Sequence, residues 1–189
     1  YAKSISGRNM PKFVGPSAQA TFVQPFFARN KIGLWTPPGN ATSVPGIVGY
    51  PTLTAVGTAT ARNVAVTNLF TRMRRLGYVS AATAAALASI RTGLLQYTVG
   101  TGTLGGFHKI LRFGISDAAA VAGARMFMGV ASNTSAPTNV EPSTLTNVIG
   151  IGHGAADTNF KLFYGGSAAQ TAINLGANFP SDTRNTDVY

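Results

Sequence analysis

Residues 145–166 read LTNVIGIGHGAADTNFKLFYGG, two apolar runs around a short polar connector, and the fold turns on how these runs pair. LTNVIGIGH (145–153) and NFKLFYGG (159–166) have the length and β-branched or aromatic content of strands, and the Gly, Asn and Asp around them are strand punctuation. GAADT (154–158) is a hairpin connection in which Asp157 is available for an Asx turn. An antiparallel pair is therefore expected here.

The same pattern extends upstream. ARMFMGVAS (124–132) places Ala124, Met126, Met128 and Val130 on one face and Arg125 and Phe127 on the other. GFHKILRFGI (106–115) alternates most regularly, with Phe107, Lys109, Leu111, Phe113 and Ile115 opposite His108, Ile110, Arg112 and Gly114, and Lys109 near solvent at the strand's end. NVAVTNLF, RMRRLGYVS and SIRTGLLQYTV are earlier strand candidates. SAATAAALAS (80–89) is alanine-rich and helical by propensity, but it lacks charged i,i+4 support and lies between strand candidates. It reads as a turn or short helix.

Seven or so short strands broken by Gly, Asn, Ser, Thr and Pro every eight to twelve residues predict an all-β domain, an antiparallel sandwich or barrel over 47–189. Residues 1–46 differ. Proline recurs through MPKF, GPSAQ, QPFFARNK, WTPPGN and SVPG, which rules out a long regular element and predicts an extended arm. The arm carries Phe13, Phe22, Phe26, Phe27 and Trp35, whereas disordered linkers are poor in aromatics. It is expected to anchor the chain by docking on its own domain or on a neighbouring subunit.

Charge narrows the function classes. The 189 residues hold 15 Lys and Arg against 5 Asp and Glu, a formal net charge of +10, yet charged residues make up only 11% of the chain, against about a quarter in an ordinary domain. The excess thus comes from missing acids. All five, Asp117, Glu141, Asp157, Asp182 and Asp187, follow position 116. So acid-poor a surface suits a protein held in an assembly.

Enzymatic chemistry finds little support. There is no cysteine, and the two histidines, His108 and His153, stand outside any HxE, HExxH or DxDxDG pattern. His153 and Asp157 are close enough in sequence for a structural hydrogen bond across the hairpin. The glycines of TVGTGTLGGFHK (98–109) precede a strand pattern, not the helix N-terminus of a phosphate loop. Five scattered acids do not supply the facing carboxylate pair of a glycosidase. No active site, metal or cofactor is expected, and with no apolar run approaching ~18–20 residues, no membrane insertion either.

TRMRRLGYVS (71–80) is the most basic stretch. Arg72, Arg74 and Arg75 with Tyr78 invite a reading as a nucleic-acid clamp. Strand alternation opposes it: Met73 and Arg75 share one face, while Arg72, Arg74 and Leu76 take the other. The three arginines are better placed to meet solvent, acids of a neighbouring subunit or an anionic surface.

Most of the chain, roughly positions 30 to 189, resembles a recurrent module of tailed-bacteriophage virion proteins found in tail-fibre and adhesin-like polypeptides. The resemblance rests on the WTPPGN entry (35–40), the TRMRRLGY strand (71–78), the GARMF strand (123–127) and LGANFP (175–180). It implies a virion structural component, a jelly-roll or lectin-like β-sandwich assembled as a symmetric oligomer, commonly a trimer in phage fibres, with no catalytic residues to carry over. The module continues into further strands past DVY (187–189), so the sequence is expected to be a piece of something longer.

Three functions compete on this reading. The first is a tail-fibre or tail-associated protein whose arm binds other virion proteins and whose sandwich contributes to host attachment. The second is a carbohydrate-binding module in which Tyr50, Tyr78, Tyr97 and Tyr164 offer stacking faces to host surface glycans. The third is a capsid or decoration protein with a basic, genome-facing arm. The arm supplies only Lys3, Arg8, Lys12, Arg29 and Lys31, too sparse for a genome-binding tail, so nucleic acid is not the expected partner.

Overall fold

The computed structural model describes residues 34–35, 47–48, 53–68, 70–96, 107–117, 121–181 and 188–189. Phe13, Phe22, Phe26, Phe27, Tyr50 and Tyr97 lie outside these residues, as does most of the predicted arm. The chain divides into two compact units, Tyr1–Trp35 with Ile47–Tyr50, and Thr36–Gly46 with Pro51–Tyr189. In the first, β1 (Leu34–Trp35) pairs antiparallel with β2 (Ile47–Val48), Trp35 opposite Ile47. The described residues form strands and one 3-10 turn, Pro142–Thr144, with no α-helix, and every strand pairing is antiparallel.

In the second unit, LTNVIGIGH and NFKLFYGG form the expected hairpin. It is the centre of a four-stranded meander of β7 (Met126–Ala131), β8 (Val148–His153), β9 (Lys161–Gly165) and β10 (Ile173–Asn174), in spatial order β10-β9-β8-β7. Register sorts the side chains into two faces. Met126, Met128 and Val130 stand opposite His153, Ile151 and Ile149, which continue to Leu162 and Tyr164 and then to Ile173. Phe127, Val148 and Phe163 occupy the other face with Gly150 and Gly152.

That glycine face is the buried one: Val148 and Phe163 are 5% and 3% exposed. A Cβ on Gly150 would stand 2.7 Å from the Phe127 ring and 2.5 Å from the Met128 carbonyl oxygen. The absent side chain is what lets Phe127 lie over the strand and approach Phe163, centroid to centroid 6.5 Å. The aromatics thus fill the space that glycine leaves on a pleated surface.

At one end of the meander a second aromatic cluster gathers around Phe160, 1% exposed. Its ring meets Tyr189 at 4.9 Å, Phe113 at 5.5 Å and His153 at 5.9 Å, all near edge-to-face, the geometry favoured by ring quadrupoles. Phe113 and Tyr189 exchange both backbone hydrogen bonds at 3.0 Å, and the Tyr189 hydroxyl donates to the Pro180 carbonyl. Segments far apart in sequence are therefore pinned to one ring.

The earlier strands make one long, interrupted hairpin. β3 (Leu53–Val56) pairs with β6 (Ser89–Thr92), and β4 (Thr58–Arg62) pairs with β5 (Arg75–Val79). Gly57 alone links β3 to β4 at φ +85°, while residues 80–88 loop out on the opposite side. SAATAAALAS is accordingly a turn with no helix, closed by a bond from the Ala86 N–H to the Thr83 carbonyl.

Three expected strands are displaced or shortened. The described residues of NVAVTNLF form no strand: Asn68 and Thr71 exchange side-chain and backbone hydrogen bonds that close the β4–β5 turn, leaving Val66 83% exposed. Local Asx and Thr chemistry outcompetes ladder formation there. Among the described residues of SIRTGLLQYTV, the first four form β6, and Leu94 and Leu95 are left exposed. GFHKILRFGI, the most regular alternation, forms no regular strand over 107–117, where Phe113 and Tyr189 exchange backbone hydrogen bonds. Lys109 is also half-buried, contrary to its expected solvent position, and donates to the Gly129 carbonyl at 3.3 Å; burial lowers its pKa.

Phe160→Ala removes the ring on which three segments converge and is expected to lower unfolding stability by about 3–5 kcal/mol in denaturant titration. Gly150→Ala should also destabilise, with the near-ultraviolet dichroism of Phe127 and Phe163 changing. An unchanged spectrum would show that Phe127 does not need the vacant position.

Candidate functional site

The β4–β5 pair concentrates unneutralised charge. TATAR and RLGYV pair with Arg62 directly opposite Arg75, Thr60 opposite Gly77 and Thr58 opposite Val79. These six positions share one face by the two-residue strand period, and Ala59, Ala61, Leu76 and Tyr78 take the other. Like charges directly opposite each other on one face of an antiparallel pair are destabilising. Among the described residues no acid pairs with either arginine: the two ion pairs there are Arg125–Glu141 and Lys161–Asp157.

Both guanidinium groups are held in place. Arg75 stacks on the buried Phe70 ring, 4.5 Å from its centroid, and its Nη2 donates to the Asn63 carbonyl at 2.8 Å, a cation–π contact reinforced by a hydrogen bond. Arg62 reaches across the neighbouring strand over Gly77, where a Cβ would stand 2.8 Å from Arg62 Nε. The Nε atoms of both arginines are buried with no hydrogen-bond acceptor. Burial, followed by the charge of Arg62, lowers the pKa of Arg75.

An open cleft of about 470 Å³ adjoins these residues where residues 80–88 loop out. Thr58, Thr60 and Val79 line it from the same strands, with Ser80, Ala86 and Leu87 completing a wall of hydroxyl and small apolar groups. Thr60, in the cleft lining, lies two positions before Arg62 on the same face of β4.

The other predicted site residues are dispersed. Arg72 and Arg74 are exposed and precede the strand, Arg72 donating to the Val66 carbonyl at 3.4 Å; only Arg75 is part of β5. Tyr78 is half-buried on the opposite face of β5, and Tyr164 is 38% exposed on β9, in the four-stranded sheet. Trp35 is part of β1. Arg62 precedes NVAVTNLF and so lies outside the strands predicted from sequence; the alternation of TATAR ahead of the Asn68–Thr71 turn is the signal that places it.

The β8–β9 turn carries its own polar network. Asp157 reaches back to accept the Gly154 N–H at 2.8 Å and pairs with Lys161 at 2.5 Å, while Glu141 accepts from Arg125 Nε at 2.6 Å and from the Ala155 N–H at 3.2 Å. His153 Nδ1 donates to the Gly154 carbonyl at 3.1 Å. The histidine is thus a structural participant in the turn, bonded to its backbone and packed on Phe160. Among the described residues no group of three or more His, Asp or Glu is placed to hold a metal ion, and no helix is long and apolar enough to cross a membrane.

Comparison with protein-family models, curated proteins and solved structures finds no match to this chain.

The turn network makes stability depend on pH. The hydrogen bond from Arg125, partly opposed by burial and aided by the Ala155 N–H, holds the Glu141 carboxyl below its ordinary 4.5. Burial raises the Asp157 carboxyl, but Lys161 and the Gly154 N–H outweigh it and leave the group below its ordinary 3.8. Both folded-state values are depressed, so the unfolded chain takes up protons first as pH falls. Their stabilisation is fully present above the ordinary values and disappears as pH drops through the folded ones. Thermal unfolding should therefore show a melting temperature that is insensitive to these groups near neutrality and falls below about pH 4. Glu141→Gln should lower the neutral value and flatten the acid decline; an unaltered decline would remove Glu141 as a contributor.

Proposed function

We propose that this chain is a structural component of a bacteriophage virion, tail-fibre or tail-associated, that assembles as a symmetric oligomer and contributes to host attachment. Its strands would belong to a β-sandwich of jelly-roll or lectin-like form. The sequence resemblance over positions 30–189 supports the virion assignment, and one structural observation carries the assembly: the part of the meander face beyond the Phe160 cluster, where apolar side chains are exposed.

On that face Ile149 is 47% exposed, Ile173 48% and Tyr164 38%, beside Leu162, Ile151 and Val130. No Asp, Glu, Lys or Arg shares the face. For a chain of net charge +10, contact between copies is opposed by repulsion over much of its surface, whereas an uncharged apolar face avoids that term. Covering each half-exposed aliphatic side chain contributes roughly 1 kcal/mol. A second copy of the chain is the occupant proposed.

Size-exclusion chromatography with light scattering is expected to find an oligomer at micromolar concentration that dissociates when Ile149→Asp and Ile173→Asp are combined. A wild-type monomer across this range would overturn the assembly. Immunogold labelling of particles that carry the chain is expected to mark the tail; label confined to the capsid would favour the decoration reading.

A further inference from the structure

We infer that Arg62 and Arg75, together with the hydroxyl-lined cleft along β4, form a binding site for an acidic saccharide, the arginines taking its carboxylate and the cleft its sugar ring. The inference deepens the attachment part of the proposed function and rests on it for biological context, but the site itself stands on geometry. Two guanidinium groups face the same way from directly opposed strand positions, and among the described residues neither is in an ion pair. A protein gains nothing in stability from such a pair. An anion received by their outer Nη groups turns a repulsive pair into an attractive triad, in which Arg–carboxylate hydrogen bonds are charge-assisted.

Preorganisation favours a specific site over diffuse attraction. Phe70 and the Asn63 carbonyl hold Arg75, and Gly77 leaves the space that Arg62 occupies. Side chains held before the ligand arrives lose less conformational freedom on binding. Arg72 and Arg74, exposed ahead of the strand, contribute attraction at longer range.

The cleft distinguishes a sugar from a bare anion. Thr58, Thr60 and Ser80 line it and carry hydroxyls, groups that both donate and accept, as do those of a sugar ring. Val79 and Leu87 supply apolar surface for its C–H face, and a volume of about 470 Å³ falls at the lower end of ligand-pocket sizes. A uronic acid joins these features in one molecule: a carboxylate directly attached to a hydroxyl-bearing ring.

The test is titration calorimetry of the full chain with trigalacturonic acid, with maltotriose and with inorganic phosphate, at matched ionic strength. Trigalacturonic acid should bind saturably, maltotriose and phosphate at least about tenfold more weakly. Arg62→Gln and Arg75→Gln should each weaken trigalacturonate binding by about tenfold or more, the scale of a lost charge-assisted hydrogen bond. Thr60→Val should weaken it less, and Arg112→Gln, altering an exposed arginine outside the strand pair, should leave it unchanged.

Arg62→Gln also has a second readout of opposite sign. Removing one of two opposed like charges should raise the melting temperature while binding falls, which separates loss of the site from loss of the fold. Absence of trigalacturonate binding, an equal effect of Arg112→Gln, or phosphate binding as tightly as the saccharide would each overturn the proposed site. None of these outcomes alters whether the chain oligomerises or where it lies in a particle, so the two readings fail separately.

Discussion

Backbone pairing between β7, β8 and β9 is the constraint on which the second unit depends. With no α-helix among the described residues to satisfy its own peptide groups, buried N–H and C=O groups there must find partners on another segment. Register then follows from which face can be buried. A slip of one residue would exchange Phe127, Val148 and Phe163 for Met128, Ile149 and Tyr164, and the vacant positions at Gly150 and Gly152 would no longer receive the phenylalanine rings. The glycines of VIGIGH thus help specify the pairing.

The same dependence on distant partners explains the aromatic cluster. Phe160 is immediately before β9, yet its neighbours come from residues 113, 153 and 189. Backbone bonds from Phe160 to Phe179 and from Leu175 to Phe160 bring the β10 region back to the same place. Burial of one ring is therefore a non-local event, and its stabilisation appears only when those segments have all arrived. The polar network of Arg125, Glu141, Asp157 and Lys161 reinforces the adjacent turn with charge-assisted hydrogen bonds.

Charge is distributed in a way that separates two kinds of surface. The meander face with Ile149, Tyr164 and Ile173 has no formal charge, whereas the β4–β5 face sets Arg62 against Arg75 without a counter-ion among the described residues. One surface favours contact by removing apolar area from water, the other by completing an electrostatic arrangement that is unfavourable when empty. Assembly through the first and recognition through the second would not compete for the same residues.

Local features of the sequence determined the antiparallel β character, the hairpin around GAADT and the two faces of β7. Each follows from alternation or turn chemistry within some ten residues, where the backbone period alone assigns a side chain to a face. The fate of GFHKILRFGI was not legible, because alternation shows that a segment can pair but not that a ladder awaits it. Nor was the Arg62–Arg75 opposition: Arg75 was visible within TRMRRLGYVS, but its partner is 13 positions away and faces it only once the Asn68–Thr71 turn sets the register. Tertiary structure decided that the arginine to pair with Arg75 is Arg62 and not its sequence neighbours, since adjacent residues of a strand point to opposite faces while cross-strand partners point together.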